Sequence, residues 1–165
     1  MLVLGIDPGI ANTGWGVVDF QGQKLRPVCY GVISTKPADS LNRRISLIAC
    51  GVGSLIEKYE IQHVSMEDIF FAKNELSAIG DAKVIGAVTY AAYRLNVGVS
   101  MFTPLQLKTA ITGYGRAEKK QVQEMCRILL NLDKIPRPDH AADALAAAVC
   151  FCNTGATTGR LGFIK

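Results

Sequence analysis

The chain has 165 residues, a length typical of a single domain. Hydrophobic residues make up 49% of it and charged residues 19%, which excludes a disordered chain and a fibrous repeat. Its 18 basic and 14 acidic residues give a net charge of +4, which permits nucleic-acid binding but does not require it.

The N-terminal segment has no cationic leader, and no run reaches the ~18 apolar residues of a membrane span. We therefore expect a cytoplasmic protein that does not contact membranes. No two of the five cysteines have the spacing of a zinc or redox motif, which indicates reduced thiols.

The first part of the chain predicts three strands joined as an antiparallel meander. These strands are Leu2–Ile6, Trp15–Phe20 and Val28–Thr35. Pro8 and Gly9 suit the two central positions of a type II turn, and Gln21–Gln23 predicts a hairpin turn.

Beyond residue 38 the hydrophobic residues recur at helical spacing and alternate with short strands. The predicted elements are helix Asp39–Tyr59, strand His63–Glu67, helix Glu75–Leu95, strand Val97–Phe102, and helices Pro104–Gly113, Glu118–Leu132 and Asp139–Cys152. Thr103 is expected to cap the helix that Pro104 begins. The alanines of the Glu75–Leu95 helix favour close contact with a sheet.

This order of elements predicts an α/β fold with a five-stranded mixed sheet flanked by helices. Strands one to three are expected to be antiparallel, and strands one, four and five parallel. We expect one domain over residues 1–152 and a loose C-terminal tail over 153–165.

Three acidic residues lie at positions that are typical of active sites in α/β proteins. Asp7 ends the first strand, Glu67 ends the fourth, and Asp143 lies in an alanine-rich helix with His140 one turn before it. An unpaired buried carboxylate is costly, so each needs a partner, and a shared divalent cation would satisfy all of them.

Ligands of open α/β sheets bind at the carboxyl ends of strands, where Asp7 and Glu67 would be neighbours. Three carboxylates and an imidazole suit Mg²⁺, with Mn²⁺ as a substitute. Two such ions about 4 Å apart activate a water and stabilise the leaving oxygen in phosphodiester cleavage.

Each residue also has a purely structural interpretation. Asp7 could only bond the turn that follows it, Glu67 could be a solvated strand end, and Asp143 could pair with a lysine. His140 could have no role, and Asp139 is interpreted as a structural N-cap. All these alternatives would have to hold together to remove the predicted site.

Four sequence blocks carry a resemblance to a known family. They are Gly5–Gly9 with Thr13–Gly14, Glu67 with Phe70, Ala72, Lys73 and Asn74, Ala117–Lys119 with Gln121–Val122, and His140–Ala146. In order and spacing, over residues 1–152, this succession resembles the RuvC family of crossover junction endodeoxyribonucleases.

The resemblance implies an RNase H-like fold and a homodimer that cuts two opposed strands of a four-way DNA junction with Mg²⁺. It places the catalytic and metal-binding positions on Asp7, Glu67, His140 and Asp143, the third being Asp in many members and His in others. It also implies a partnership with a branch-migration motor.

DNA-binding positions follow partly from the resemblance and partly from the residues. Phe70 matches a family aromatic that stacks on DNA, and Lys73, Lys108 and Lys119 match basic positions. Independently, Lys119 and Lys120 fall in the first turn of a predicted helix, where cations oppose the helix dipole unless a phosphate docks there. Arg116 is a further phosphate-binding candidate, and a solvated face remains the alternative for Lys120.

Two other functions compete with that of a nuclease. An ATPase of the actin and sugar-kinase class also opens with an Asp-x-Gly strand, but it needs a second similar domain, for which 165 residues leave no room. A junction-binding module that does not cut DNA would be expected to have lost catalytic acids, whereas Asp7, Glu67 and Asp143 are all present here.

Overall fold

The computed structural model describes residues 1–68 and 75–158, with side chains throughout those ranges except at 75–77 and 155–158. Its strands are β1 (Leu2–Asp7), β2 (Asn12–Gln21), β3 (Lys24–Ser34), β4 (His63–Glu67) and β5 (Gly98–Phe102). Its helices are α1 (Leu41–Lys58), α2 (Glu75–Arg94), α3 (Pro104–Thr112), α4 (Lys119–Leu129) and α5 (Asp139–Thr158). Among the described residues, no helix is both long and apolar enough to cross a membrane.

The five strands form one mixed sheet in the order β3-β2-β1-β4-β5. β1, β2 and β3 pair antiparallel, while β4 runs parallel to both β1 and β5. The predicted sheet is therefore confirmed. In the parallel register Ile6 lies beside Met66, so the next residues, Asp7 and Glu67, end adjacent strands at the same edge.

The two predicted turns have different outcomes. Gly22 and Gln23 both have positive φ (52° and 70°), as a two-residue hairpin of type I′ requires, so the hairpin is confirmed. The type II turn at Pro8–Gly9 is wrong, because Gly9 is not among the described residues with positive φ. Gly9 is instead confined by space, since a Cβ there would lie 2.6 Å from the Asn12 carbonyl oxygen.

Helices cover both faces of the sheet. Alternate β1 side chains face opposite ways: Leu4 and Ile6 join the core under α1 and α2, and Val3 joins the core under α3, α4 and α5. α2 buries Val84 and Val88 with Ala92 on a stripe of four-residue spacing, and it packs mainly on α1. α2 also contacts β5, but the closest approach of an alanine-rich helix to the sheet is made by α5.

α5 lies directly on the backbone of β1 and β2, at positions occupied by glycine. A Cβ on Gly5 would lie 1.8 Å from the Ala144 carbonyl oxygen, and one on Gly14 would lie 2.0 Å from the His140 carbonyl oxygen. Both distances are shorter than any non-bonded contact, so only glycine permits this approach. The contact fixes where the first turns of α5 stand over the end of β1.

Some predicted helix ends shift. α1 begins at Leu41, because the side chain of Ser40 caps it by accepting from the Arg43 backbone N–H. α3 has the predicted Thr103 cap, and Gly113 ends it in the left-handed conformation (φ 74°). α5 continues to Thr158, so residues 153–158 of the predicted tail are helical, and 159–165 lie outside the described residues.

Candidate active site

The four residues predicted to form the site come together at one edge of the sheet. Asp7 and Glu67 end the parallel neighbours β1 and β4, and the first turns of α5 bring His140 and Asp143 over them. The close approach of α5 at Gly14 sets the height of His140 above the sheet. Residues 133 positions apart in sequence thereby come into direct contact.

His140 and Asp7 form that contact. The distance from His140 Nδ1 to Asp7 Oδ2 is 2.7 Å, and the Asp7 side chain is only 19% exposed. Burial raises the pKa of Asp7, and the charge of Asp143 raises it further, while the bond from His140 and the charge of Lys119 oppose the rise. An ionised Asp7 accepts a hydrogen bond only from protonated Nδ1, which leaves Nε2 as the other ring atom for chemistry.

Glu67 has the most perturbed carboxyl group of the site. Burial raises its pKa to about 7, and the charges of Asp7 and Asp143 add to the rise. Lys108 and Lys119 lower it in part. A carboxyl group that titrates near neutrality in a cleft is typical of a functional site, because it gains most from a nearby cation.

Asp143 is held by a lysine from another helix. The distance from Lys119 Nζ to Asp143 Oδ2 is 2.8 Å, and that from Lys119 Nζ to Asp139 Oδ2 is 3.7 Å. Burial lowers the pKa of Lys119, but the bond to Asp143 and the charges of Asp143, Asp139 and Asp7 outweigh it, so the net change is upward. The lysine pair that sequence reasoning kept as an alternative for Asp143 is therefore present in the structure.

Sequence reasoning missed the electrostatic part that Asp139 plays. Asp139 is the first residue of α5 rather than the cap before it, and Arg137 pairs with its carboxylate. Its spacing of four residues from Asp143 puts both carboxylates on one helix face, and that signal was available in the sequence.

A cleft of about 180 Å³ opens beside the carboxylates. Its walls come from β4, α3, α4 and α5: Glu67, Pro104, Leu107, Lys108, Lys119, Val122, Asp143 and Ala146. Two lysines thus stand within a cleft that also exposes two carboxylates. That pairing of charges suits a phosphate group bridged to the site by a cation.

The remaining predicted DNA contacts are more dispersed. Arg116 is exposed before α4, and Lys120 is exposed in its first turn. Lys120 lines a separate, more open groove together with Tyr114 and Met125. Phe70 and Lys73 lie outside the described residues.

The donor set fits a hard divalent cation. Carboxylate oxygens with one imidazole are the ligands of Mg²⁺ and Mn²⁺, and the mutual repulsion of Asp7, Glu67 and Asp143 would be relieved by positive charge. Within residues 1–68 and 75–158, no three His, Cys, Asp or Glu side chains already stand in a metal-binding arrangement. In this conformation His140 bonds Asp7 and Lys119 bonds Asp143, so side-chain rotation must accompany binding.

Comparison with known proteins gives consistent results over nearly the whole chain. The family model described as "Crossover junction endodeoxyribonuclease RuvC" matches residues 3–151. A protein of that name from Caldanaerobacter subterraneus subsp. tengcongensis is 45% identical over 163 residues, which cover 99% of each chain.

Two solved structures of Thermus thermophilus RuvC are similar in both sequence and fold. One has a TM-score of 0.89 at 35% identity and covers 94% of this chain and 96% of that one. The other, in complex with Holliday junction substrate, has a TM-score of 0.87 at 33% identity and covers 96% of this chain and 97% of that one. The likeness confirms the predicted RNase H-like fold class.

Proposed function

The chain belongs to the RuvC family of crossover junction endodeoxyribonucleases, and we propose that it resolves Holliday junctions in DNA recombination and repair by nicking two opposed strands of the four-way junction. One observation supports this most strongly. The acidic ends of β1 and β4 meet His140 and Asp143 in a cleft whose walls also carry Lys108 and Lys119. Such a cleft can hold a cation and a phosphodiester together.

The reaction in this proposal is hydrolysis of a phosphodiester bond with Mg²⁺, for which Mn²⁺ is a substitute, and with two ions at each site. When bound, the ions supply an activated water and stabilise the leaving oxygen. Asp7, Glu67, His140 and Asp143 are the proposed ligands. Burial of Asp7 and Glu67 supports this role, because desolvated carboxylates bind a cation more strongly than solvated ones.

Other groups in the site act on the substrate. Lys108 lines the cleft beside Glu67 and is placed to neutralise the charge of the scissile phosphate. The bond from His140 orients the Asp7 carboxylate toward the cleft edge of the sheet.

DNA-binding residues are proposed at Phe70, Lys73, Lys108, Arg116, Lys119 and Lys120. Phosphate contacts act on affinity, whereas metal ligands act on the chemical step. Each phosphate contact that is lost should lower the dependence of log affinity on log salt by about one. Replacing Arg116 by alanine and measuring junction binding across a salt series tests its part in the surface.

We also propose that the enzyme acts as a homodimer in the cytoplasm, together with a branch-migration motor. The dimer supplies two sites for two opposed strands. α2 supports this, because Ile79, Tyr90 and Tyr93 are exposed (53%, 61% and 77%) at spacings that share one helix face. Sedimentation tests this proposal: we expect the wild type to be a dimer and Tyr93→Glu to be a monomer.

A cleavage assay tests the function as a whole. The protein is incubated with a four-way junction and with linear duplex, each with and without Mg²⁺. We expect paired nicks in the junction only, and only with the metal. Equal cutting of duplex would refute junction selectivity, and binding without cutting in either Mg²⁺ or Mn²⁺ would indicate a non-cleaving junction-binding module.

A further inference from the structure

Lys119 is predicted from its sequence position to reach DNA, yet its ammonium group lies in the acidic site. It is 2.8 Å from the Asp143 carboxylate and 3.7 Å from that of Asp139. The lysine comes from α4 and both acids come from α5, so the contact spans two elements. Nothing in the proposed catalytic scheme requires a lysine to bond a metal ligand.

The N-terminus of α4 is an unfavourable position for a lysine unless nearby anions balance its charge. Lys119 is the first residue of α4, where the positive end of the helix dipole repels a cation. The carboxylates of Asp143, Asp139 and Asp7 supply the attraction that holds it there. Lys119 also lines the same cleft as Glu67. It is thus linked to each of the three acids proposed as metal ligands.

The geometry makes this contact exchangeable. The Lys119 side chain is 55% exposed and Asp143 is 25% exposed, so the ammonium group can rotate into solvent without movement of either helix. A divalent cation on Asp143 would repel the ammonium group at this distance. The two positive charges would therefore compete for the same carboxylate.

We propose that Lys119 is a tethered counter-ion that occupies the Asp143 carboxylate until a divalent cation displaces it, and that its release makes it available to a DNA phosphate. The inference rests on the proposed metal centre and adds to it a coupling between metal binding and DNA binding. Because such coupling is reciprocal, a phosphate that holds Lys119 away from Asp143 also strengthens metal binding.

Calorimetric titration of the metal-free protein with Mn²⁺, without DNA, tests the competition. Lys119→Met keeps most of the side-chain length and removes the charge, and Lys120→Met is the matched control in the same helical turn. We expect Lys119→Met to bind Mn²⁺ roughly three- to tenfold more tightly than the wild type, the range set by a partly exposed ion pair and a repelling charge. The control should stay within about twofold of the wild type, since small charge effects at exposed sites are of this size.

Equal or weaker Mn²⁺ affinity in Lys119→Met would overturn the counter-ion role while leaving the metal centre intact. Absence of Mn²⁺ binding in both proteins would instead refute the metal centre, and the inference with it. Melting temperatures of the two variants show whether each is folded.

A second measurement follows the released lysine. Junction affinity is measured against salt in EDTA and in Ca²⁺, for the wild type and for Lys119→Met. If Ca²⁺ releases Lys119 to a phosphate, the slope of log affinity against log salt should be steeper by about one in Ca²⁺ than in EDTA for the wild type. The slope for Lys119→Met should be the same in both conditions. The same change of slope in both proteins would contradict the release of Lys119 to DNA.

Discussion

Replacement of Glu67 by glutamine, although it removes a proposed metal ligand, should abolish a loss of stability that the metal-free wild type shows as pH rises from 4.5 to about 7. The folded protein raises the pKa of Glu67 from 4.5 to about 7 through burial and the charges of Asp7 and Asp143. Between those two pH values the folded state holds a proton that the unfolded chain has lost. The free energy of unfolding therefore falls as pH rises through this range and levels off above about 7.

The size of the effect follows from the two pKa values. At 1.36 kcal/mol for each tenfold change in proton affinity, a rise from 4.5 to about 7 corresponds to at most about 3 kcal/mol. Glu67 is partly exposed, so solvent screening reduces this, and we expect about 2 kcal/mol. The variant cannot titrate at this position and loses none of it.

The assay is urea unfolding in EDTA at several pH values from 4.5 to 8, for the wild type and for Glu67→Gln. His63 acts in the opposite direction over part of this range, but it is present in both proteins and cancels in their difference. Any constant offset from the new amide also cancels, because only the change with pH counts. Parallel curves would refute the perturbed Glu67.

Addition of Mg²⁺ at pH 8 should favour the wild type over the variant. Ligand that binds only the folded state stabilises it by mass action, so the wild type should gain stability and the variant should gain less. Equal gains would show that Glu67 does not hold the metal.

Three further predictions concern other parts of the chain. Asp7→Asn should keep junction binding and abolish cleavage, and cleavage at the normal rate would show that Asp7 does not hold the metal. Gly5→Ala should lower the free energy of unfolding by about 3 kcal/mol or more, because the new Cβ would meet the Ala144 carbonyl oxygen. Gly53→Ala is the control, because a Cβ there meets no atom within 4 Å, and it should raise the free energy of unfolding by about 0.5–1 kcal/mol in the same urea series. His63→Gln should lose less stability as pH falls from 6.5 towards 4, because burial lowers the pKa of His63 to about 4 and the unfolded wild type therefore takes up the proton first; equal acid sensitivity would contradict this.

The sequence alone predicted the sheet and the acidic edge, because both depend on local pattern and on one topological rule. Apolar runs end at Asp7 and Glu67, and a helical crossover between their strands makes them parallel neighbours. The start of β2 was missed, since Asn12 and Gly14 have low strand propensity. Asn12 is held in place by pairing with β3, where it also bonds the Ser34 hydroxyl, and such a tertiary contact leaves no local signal.

The ion pair between Lys119 and Asp143 also could not be predicted from the local sequence pattern. Lys119 is separated from Asp143 by 24 residues and belongs to another helix, so its direction depends on how α4 and α5 pack. The dipole argument identified Lys119 as unusual and assigned the missing anion to DNA. The structure supplies anions from the protein itself, at Asp143 and Asp139. A charge that opposes a helix dipole therefore predicts a nearby anion, but it does not predict which molecule carries that anion.

The contact between α5 and the glycines of β1 and β2 joins the stability of the fold to the geometry of the site. His140 and Asp143 begin the same helix whose Ala144 carbonyl rests on Gly5, so their distance from Asp7 is set by backbone against backbone rather than by flexible side chains. Side chains positioned in this way are held at low entropic cost, which the proposed metal centre would need. The proposed exchange of cations at the site would then need only the rotation of the half-exposed Lys119 side chain and no movement of a helix.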